Sequence, residues 1–340
     1  MKNVNNFVFG NCKRPQVTDR ISQPGIVPKG RFAPSPTGRM HLGNALAALL
    51  SYLSVKSRGG KWLLRIEDLD PGRSRPEYSR MLEEDLFWLG LEWDEGGMDR
   101  PDYCQSRRGD IYEHYFRQLK ETGLVYPCWC TRADINASNA PHQSDGRVIY
   151  KGSCRPQRLG GTAPDEPAGL NPGRLPSWRV CVPDATVCVE DIHFGHVGVN
   201  LARECGDFVV RRSDGVAAYQ LAVVVDDALM GVTEVVRGRD LLLSAPQQKW
   251  LSETLGFKAP DYAHIPLLCA MDGRRLCKRD RDADFSYLRT HFSPEEVLGM
   301  LAETAGLLAK AEPVKIYDLI PLFGWAKVPV EDIRIRSEQG

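Results

Sequence analysis

The chain lacks any apolar run approaching the ~20 residues that a membrane-spanning helix needs, which argues against a helical membrane protein and leads us to expect no membrane partner. It also lacks the apolar core of a secretory signal near its start, and it contains no internal repeat that would indicate a solenoid. It has no charge of one sign to spare. Forty-four Lys and Arg face 44 Asp and Glu, so contact with nucleic acid must come from a local patch and not from a global positive field. Cysteine is not scarce. Ten are present, unevenly placed and without an export signal, and the expectation is a reducing cytoplasm with some thiols free and some on metal. A hydrophobic content of 42% and a charged content of 26% over 340 residues suit a water-soluble chain of two or three packed units.

Residues 1–29 show no periodicity and read as an extension. Residues 30–125 alternate strand and helix patterns. Lys61 to Ile66 is a short apolar strand, and Pro76 to Leu89 is a helix with Met81, Leu82, Leu86 and Leu89 on one face. Arg107 to Thr122 is amphipathic, and Gly123 follows its end. Residues 126–204 are dense in Cys, Pro and Gly and read as an inserted subdomain. Residues 205–258 resume the alternation, with strands at Phe208 to Arg212 and Gly231 to Arg237 and a helix at Pro246 to Leu255. Residues 259–340 read as helices and loops. The fold class expected is α/β. It has a Rossmann-type doubly wound parallel sheet, halved by a zinc-bearing insert and followed by a mainly helical part.

The stretch from Arg31 to Asn44, Arg-Phe-Ala-Pro-Ser-Pro-Thr-Gly-Arg-Met-His-Leu-Gly-Asn, precedes an apolar helix. Pro34 and Pro36 fix φ, Gly38 permits a bend, and Gly43 lets a ligand near the first turn, where unpaired N–H groups attract phosphate. Cys128-Trp129-Cys130 and Tyr150-x-x-x-Cys154 offer three thiols and a phenol to a tetrahedral zinc. The 19 residues between Cys130 and Tyr150 form a long spacer, and His142 competes for the fourth position. Glu67, Asp68 and Asp70 close a strand, where such carboxylates need cations; Arg65, Arg73 and Arg75 lie near. Downstream, Tyr219, Asp226-Asp227 and Arg237-Gly238-Arg239-Asp240 bracket a strand, and Arg275-Leu276-Cys277-Lys278-Arg279 is a basic loop.

These motifs resemble, in order, those of the class I aminoacyl-tRNA synthetases of the glutamyl/glutaminyl subgroup. Their usual His-Ile-Gly-His reads His41-Leu42-Gly43-Asn44 here, and their Lys-Met-Ser-Lys-Ser is reduced to the Lys278 loop. The Cys-x-Cys with Tyr-x-x-x-Cys looks like the zinc site of the shortened glutamyl-queuosine tRNA(Asp) synthetase branch. So does the length, with 62 residues after Lys278. The resemblance implies that glutamate and ATP form glutamyl-adenylate without tRNA, and that glutamate then passes to queuosine in the anticodon loop of tRNA(Asp). It implies that Arg31, Ser35, Glu67, Tyr219 and Arg237 hold L-glutamate. It further implies that His41 and Lys278 act catalytically on phosphate, and that His41, Gly43, Asn44, Gly238, Asp240 and Lys278 hold ATP with Mg2+. One structural Zn2+ on Cys128, Cys130, Tyr150 and Cys154 is implied as well, and a cytoplasmic monomer is expected. Two readings stay open beside it: a truncated glutamyl-tRNA synthetase acting on tRNA(Glu), and a tRNA-binding paralogue with a decayed ATP site.

Overall fold

The computed structural model describes residues 27–131, 133–135, 149–156, 175–272 and 285–335. Lys278, the loop around it and His142 lie outside these. The strands are β1 Lys29–Phe32, β2 Lys61–Leu64, β3 Glu95–Gly96, β4 Val125–Cys128, β5 Ser177–Val180, β6 Thr186–Asp191, β7 Gly195–Asn200, β8 Phe208–Arg211, β9 Glu234–Gly238, β10 Asp261–Ile265, β11 Leu268–Ala270 and β12 Ile333–Ile335. The helices are α1 Leu42–Lys56, α2 Pro76–Trp88, α3 Gly109–Glu121, α4 Tyr219–Leu229, α5 Ser244–Thr254, α6 Phe285–His291, α7 Pro294–Thr304 and α8 Ile316–Leu319.

Seven strands form one sheet in the order β3-β2-β1-β9-β10-β6-β7. All neighbours are parallel except β6 and β7. The chain moves outward from β1 to β2 and β3, then restarts on the other side of β1 with β9 and β10. That reversal between β1 and β9 is the switch point, and the crevice beyond its strand ends is where open α/β sheets bind ligands. α1 is buried from Ala45 to Val55 on nearly every side, apart from Ala47. It packs on β1, β2 and β9, as its continuous apolar sequence requires. The fit is tight at Gly30, where a Cβ would lie 2.8 Å from Val55 Cγ1. Trp62 is fully buried on β2 and stacks on Phe32, and its indole N–H donates to Ser51 Oγ at 2.9 Å.

The helices at Pro76, Gly109 and Ser244 sit where periodicity puts them, and Gly123 takes a positive φ of 74° after α3. Met81 departs from its expected place. Leu82, Leu86 and Leu89 are buried, but Met81 is 37% exposed because the apolar stripe of α2 is narrower than its composition suggests. Pairing also departs from sequence order. β8 joins β4 and β5 in a separate antiparallel sheet. β6 and β7, from the segment 126–204, extend the main sheet beside β10. β10 itself, from a segment expected to be helical and looped, lies between β9 and β6.

Candidate active site

The turn after β1 is stitched to the acidic turn after β2. Glu67 N–H donates to Pro34 O at 3.0 Å, and Arg75 N–H donates to Pro36 O at 3.1 Å. Ser35 lies exposed between these two anchors. His41 is the N-cap of α1: Asn44 N–H donates to its Nδ1 at 3.3 Å, and Asn44 Oδ1 accepts from His41 N–H at 3.4 Å. This reciprocal cap leaves the start of the helix in order without an acidic residue to occupy its positive end. Gly43 serves the same arrangement, since a Cβ there would press on the His41 ring at 3.1 Å.

Behind the turn lies a buried charge cluster. Arg65 is wholly buried; its Nη1 donates to Asp227 Oδ1 at 2.6 Å and its Nη2 to Glu67 Oε1 at 3.0 Å. Asp226 lies 3.7 Å from Arg65 Nε and accepts from Arg108 Nε at 2.7 Å, Gln105 Nε2 at 2.8 Å and the Tyr112 hydroxyl at 2.9 Å. Burial pulls the pKa of Arg65 down, but Asp227, Glu67 and Asp226 outweigh it and raise it. Burial likewise lifts the Glu67 carboxyl above its usual value, opposed by Arg65 and Arg31. Of the arginines near this acidic turn in sequence, Arg65 alone forms an ion pair with it among the described residues. Asp68 is held instead by Ser106, through the backbone N–H at 2.8 Å and the hydroxyl at 2.6 Å.

Arg31 and Arg237 converge on this cluster from β1 and β9. Arg31 is 5% exposed and its Nη1 donates to Val236 O at 3.3 Å. Its Nε sits 3.6 Å from Asp227 and has no hydrogen-bond partner. Burial depresses its pKa, Asp227 opposes this, and the charges of Arg65 and Arg237 depress it further. Arg237, also 5% exposed, has only neutral partners: His264 Nε2 at 3.0 Å, Gln248 Oε1 at 2.7 Å and Leu241 O at 3.2 Å. Its guanidinium lies 5.3 Å from the centre of the Tyr262 ring. Burial raises the pKa of the Tyr262 hydroxyl, with the charges of Arg237, Asp227 and Arg31 and the nearby Tyr219 as smaller influences. Tyr219 is 39% exposed and opens α4 at its rim. Gly238 and Asp240 follow Arg237 where β9 ends. Two buried cations close enough for Arg237 to depress the pKa of Arg31, Arg31 with an unbonded N–H and Arg237 with no carboxylate among the described residues, suit an anionic ligand. Sequence reasoning missed Tyr262, His264 and Asp191, which lie in or beside strands that only the sheet brings together.

Residues 29–302 match the model of the tRNA synthetases class I (E and Q), catalytic domain. The chain belongs to the class I (E and Q) tRNA synthetases. It is thus an enzyme of the ligase type. It is 46% identical over 316 residues to a protein named Glutamyl-Q tRNA(Asp) synthetase from Symbiobacterium thermophilum, covering 91% of this chain and 96% of that one. A protein of the same name from Nitratidesulfovibrio vulgaris is 43% identical over 310 residues, 90% and 94% of the two chains. A glutamate–tRNA ligase from Aquifex aeolicus is 41% identical over 302 residues, which make up 86% of this chain and 62% of the relative. The crystal structure of a glutamate tRNA ligase from Elizabethkingia meningosepticum in complex with its amino acid superposes with a TM-score of 0.76 at 31% identity. It covers 92% of this chain and 68% of that one.

This class I synthetase carries a thiol cluster at the end of β4, on the sheet of β4, β5 and β8. The Sγ atoms of Cys128, Cys130 and Cys154 lie within 4.8 Å of one another, with Cys130 and Cys154 3.5 Å apart. Sulfurs about 2.3 Å from one tetrahedral ion stand about 3.8 Å apart, so the spacing fits a metal. The Tyr150 hydroxyl is 3.5 Å from Cys128 Sγ and 4.0 Å from Cys130 Sγ. The Cys154 thiol holds the Cys128 pKa below its usual value, against burial and with help from Tyr150 and Arg179. Arg179 donates to that sulfur at 3.3 Å and stacks over the Tyr150 ring at 4.0 Å.

Proposed function

We propose that the enzyme activates L-glutamate with ATP, without tRNA, and transfers it to the queuosine base of tRNA(Asp). The observation that carries the glutamate half is the pair of buried guanidiniums, Arg31 and Arg237, beside the Glu67 carboxylate. Arg237, with Arg31, takes the γ-carboxylate in charge-assisted bonds, Glu67 takes the α-ammonium, and Ser35 and Tyr219 close the site. The α-carboxylate then attacks the α-phosphate of ATP, forming a C–O–P linkage while the bond to the departing pyrophosphate breaks. It is ionised at neutral pH and needs no base, so catalysis is positioning and charge stabilisation. ATP with Mg2+ lies on His41, Gly43, Asn44, Gly238 and Asp240, and Lys278 adds a point charge. In the second step a hydroxyl of the queuosine cyclopentenediol attacks the acyl carbon and AMP leaves. The names of the relatives support this acceptor. We further propose that Cys128, Cys130, Cys154 and Tyr150 hold one structural Zn2+ in an inserted subdomain, and that the enzyme works as a cytoplasmic monomer.

The test is glutamate-dependent ATP–pyrophosphate exchange without tRNA, followed by transfer to tRNA(Asp) from cells with and without queuosine. Exchange without RNA, and transfer to the modified tRNA alone, are expected. No exchange would leave the decayed-site reading. Similarity to the Aquifex aeolicus ligase favours tRNA(Glu) as the competing acceptor, and charging of unmodified tRNA(Glu) would establish it instead.

A further inference from the structure

Behind Arg237 a line of buried hydrogen bonds runs away from the ligand side. Asp191 ends β6 and His264 stands on β10 in register with Arg237. The side chains of both are 0% exposed. His264 Nδ1 lies 2.6 Å from Asp191 Oδ2, and His264 Nε2 lies 3.0 Å from Arg237 Nε. An arginine Nε–H only donates, so Nε2 is the bare acceptor and the ring proton sits on Nδ1, where it donates to Asp191. The carboxylate is itself fixed: Oδ1 accepts the backbone N–H of His193 at 3.0 Å and of Phe194 at 2.8 Å, and Oδ2 accepts that of His264 at 3.1 Å. On its other nitrogens Arg237 donates to Gln248, which donates onward to Gln220 at 2.9 Å, and to Leu241 O. One N–H of every guanidinium nitrogen is thereby used, and one on each Nη remains. A carboxylate meeting these remaining donors accepts charge-assisted bonds from them. A γ-amide meeting them turns an NH2 against N–H donors and leaves the buried charge uncompensated.

We propose that Asp191 and His264 are positioning residues for amino-acid specificity: the neutral His264 ring, oriented by Asp191, aims Arg237 so that it reads a γ-carboxylate and rejects a γ-amide. The proposal rests on the reading of Arg237 as the partner of that carboxylate. If the ring carried its proton on Nε2, N–H would face N–H and the guanidinium would turn.

The test uses the full chain and pyrophosphate exchange with glutamate and glutamine in turn. Asp191→Asn is isosteric, keeps an oxygen for His193 and Phe194, and sets an amide N–H against Nδ1, forcing the wrong tautomer. Its glutamate-over-glutamine ratio of kcat/KM is expected to fall about 10- to 100-fold, through KM for glutamate and with KM for ATP within about twofold. His264→Gln places an acceptor where Nε2 stood and is expected to keep most of the ratio, whereas His264→Asn loses it. A purely structural role would not rank these two, and they decide the matter if Asp191→Asn does not fold. Folded Asp191→Asn with an unchanged ratio, or equal ratios for His264→Gln and His264→Asn, overturns the proposal. Arg237→Gln separates the layers. If it too leaves the ratio intact, the reading of Arg237 fails; if it alone collapses the ratio, only the role of Asp191 and His264 fails.

Discussion

Arg65 and Arg237 are both buried guanidiniums at the mouth of one crevice, yet their surroundings are opposite. Arg65 lies within 3.7 Å of Glu67, Asp226 and Asp227. Arg237 meets an imidazole, an amide and a carbonyl, and no carboxylate within ion-pairing distance among the described residues. A buried charge needs a partner. Arg65 finds its partners within the fold, so its charge serves the fold. Arg237 lacks one, and so its charge is open to an acidic ligand. Arg31 stands between them, 3.6 Å from Asp227 but with Nε unbonded. The difference teaches that burial alone does not mark a binding arginine; the sign of what already surrounds it does.

The sharpest way to break the comparison is to remove each guanidinium in turn. Arg65→Met takes the shared guanidinium away from Glu67 and Asp227, which stay out of water, with Arg108 still on Asp226 and Arg31, 3.6 Å from Asp227, beside the other two. A loss of about 3–5 kcal/mol is expected, measured by urea unfolding, and a loss below about 1 kcal/mol would show that Arg65 is not the hub of the cluster. Arg237→Gln should do the reverse. It gives up neutral hydrogen bonds worth about 1 kcal/mol each, partly remade by the amide. Its KM for glutamate is nevertheless expected to rise about 100-fold, the ~3 kcal/mol of a charge pair with one partner removed. If Arg237→Gln unfolded the protein as readily as Arg65→Met, the two sites would be alike and the contrast would fail.

This contrast was half legible in the sequence. The Arg31 to Asn44 stretch, Glu67 and Arg237 are short motifs whose residue types announce charge chemistry, and the structure brings Arg31, Glu67 and Arg237 together. What neutralises them was not legible. Asp227 is read from sequence as half of an acidic pair ahead of a strand, and only the packing of α4 brings it to Arg65, 162 residues away. Asp191 and His264 are 73 residues apart; no local pattern links them. β10 was missed for a related reason. Asp-Tyr-Ala-His-Ile does not look like a buried strand, because its Tyr262 and His264 are polar at their tips and those tips belong to the site. The strand pattern at Phe208 to Arg212 likewise locates β8 without saying which sheet it joins, since alternation fixes a face and leaves the partner open, and β6 lies in a segment read only as an insert.

The smallest expected effect titrates the acidic side of the comparison. Burial is the largest influence on Glu67 and raises its pKa, against Arg65 and Arg31. Burial also acts to raise the pKa of Asp191, but the ring N–H of His264 and the backbone donors outweigh it and hold that pKa below normal. As pH falls from neutral, Glu67 therefore takes its proton before Asp191. For stability the signs differ. Folded Glu67 binds a proton more readily than the unfolded chain does, so its contribution to stability falls as pH rises between the unfolded and folded pKa. Asp191 contributes stability that is present above the unfolded carboxyl pKa and lost as pH drops through its lower folded one. On the proposed role of Glu67 as partner of the α-ammonium, KM for glutamate should climb about tenfold per pH unit below the Glu67 pKa, while the Asp191 contribution to the melting temperature holds until pH falls to the unfolded carboxyl pKa. Glu67→Gln should start at a higher KM and show no such limb. A wild-type KM that stays flat down to the onset of unfolding would mean that Arg65 keeps Glu67 ionised throughout, or that another group receives the ammonium. The persistence of the limb in Glu67→Gln would point to the second.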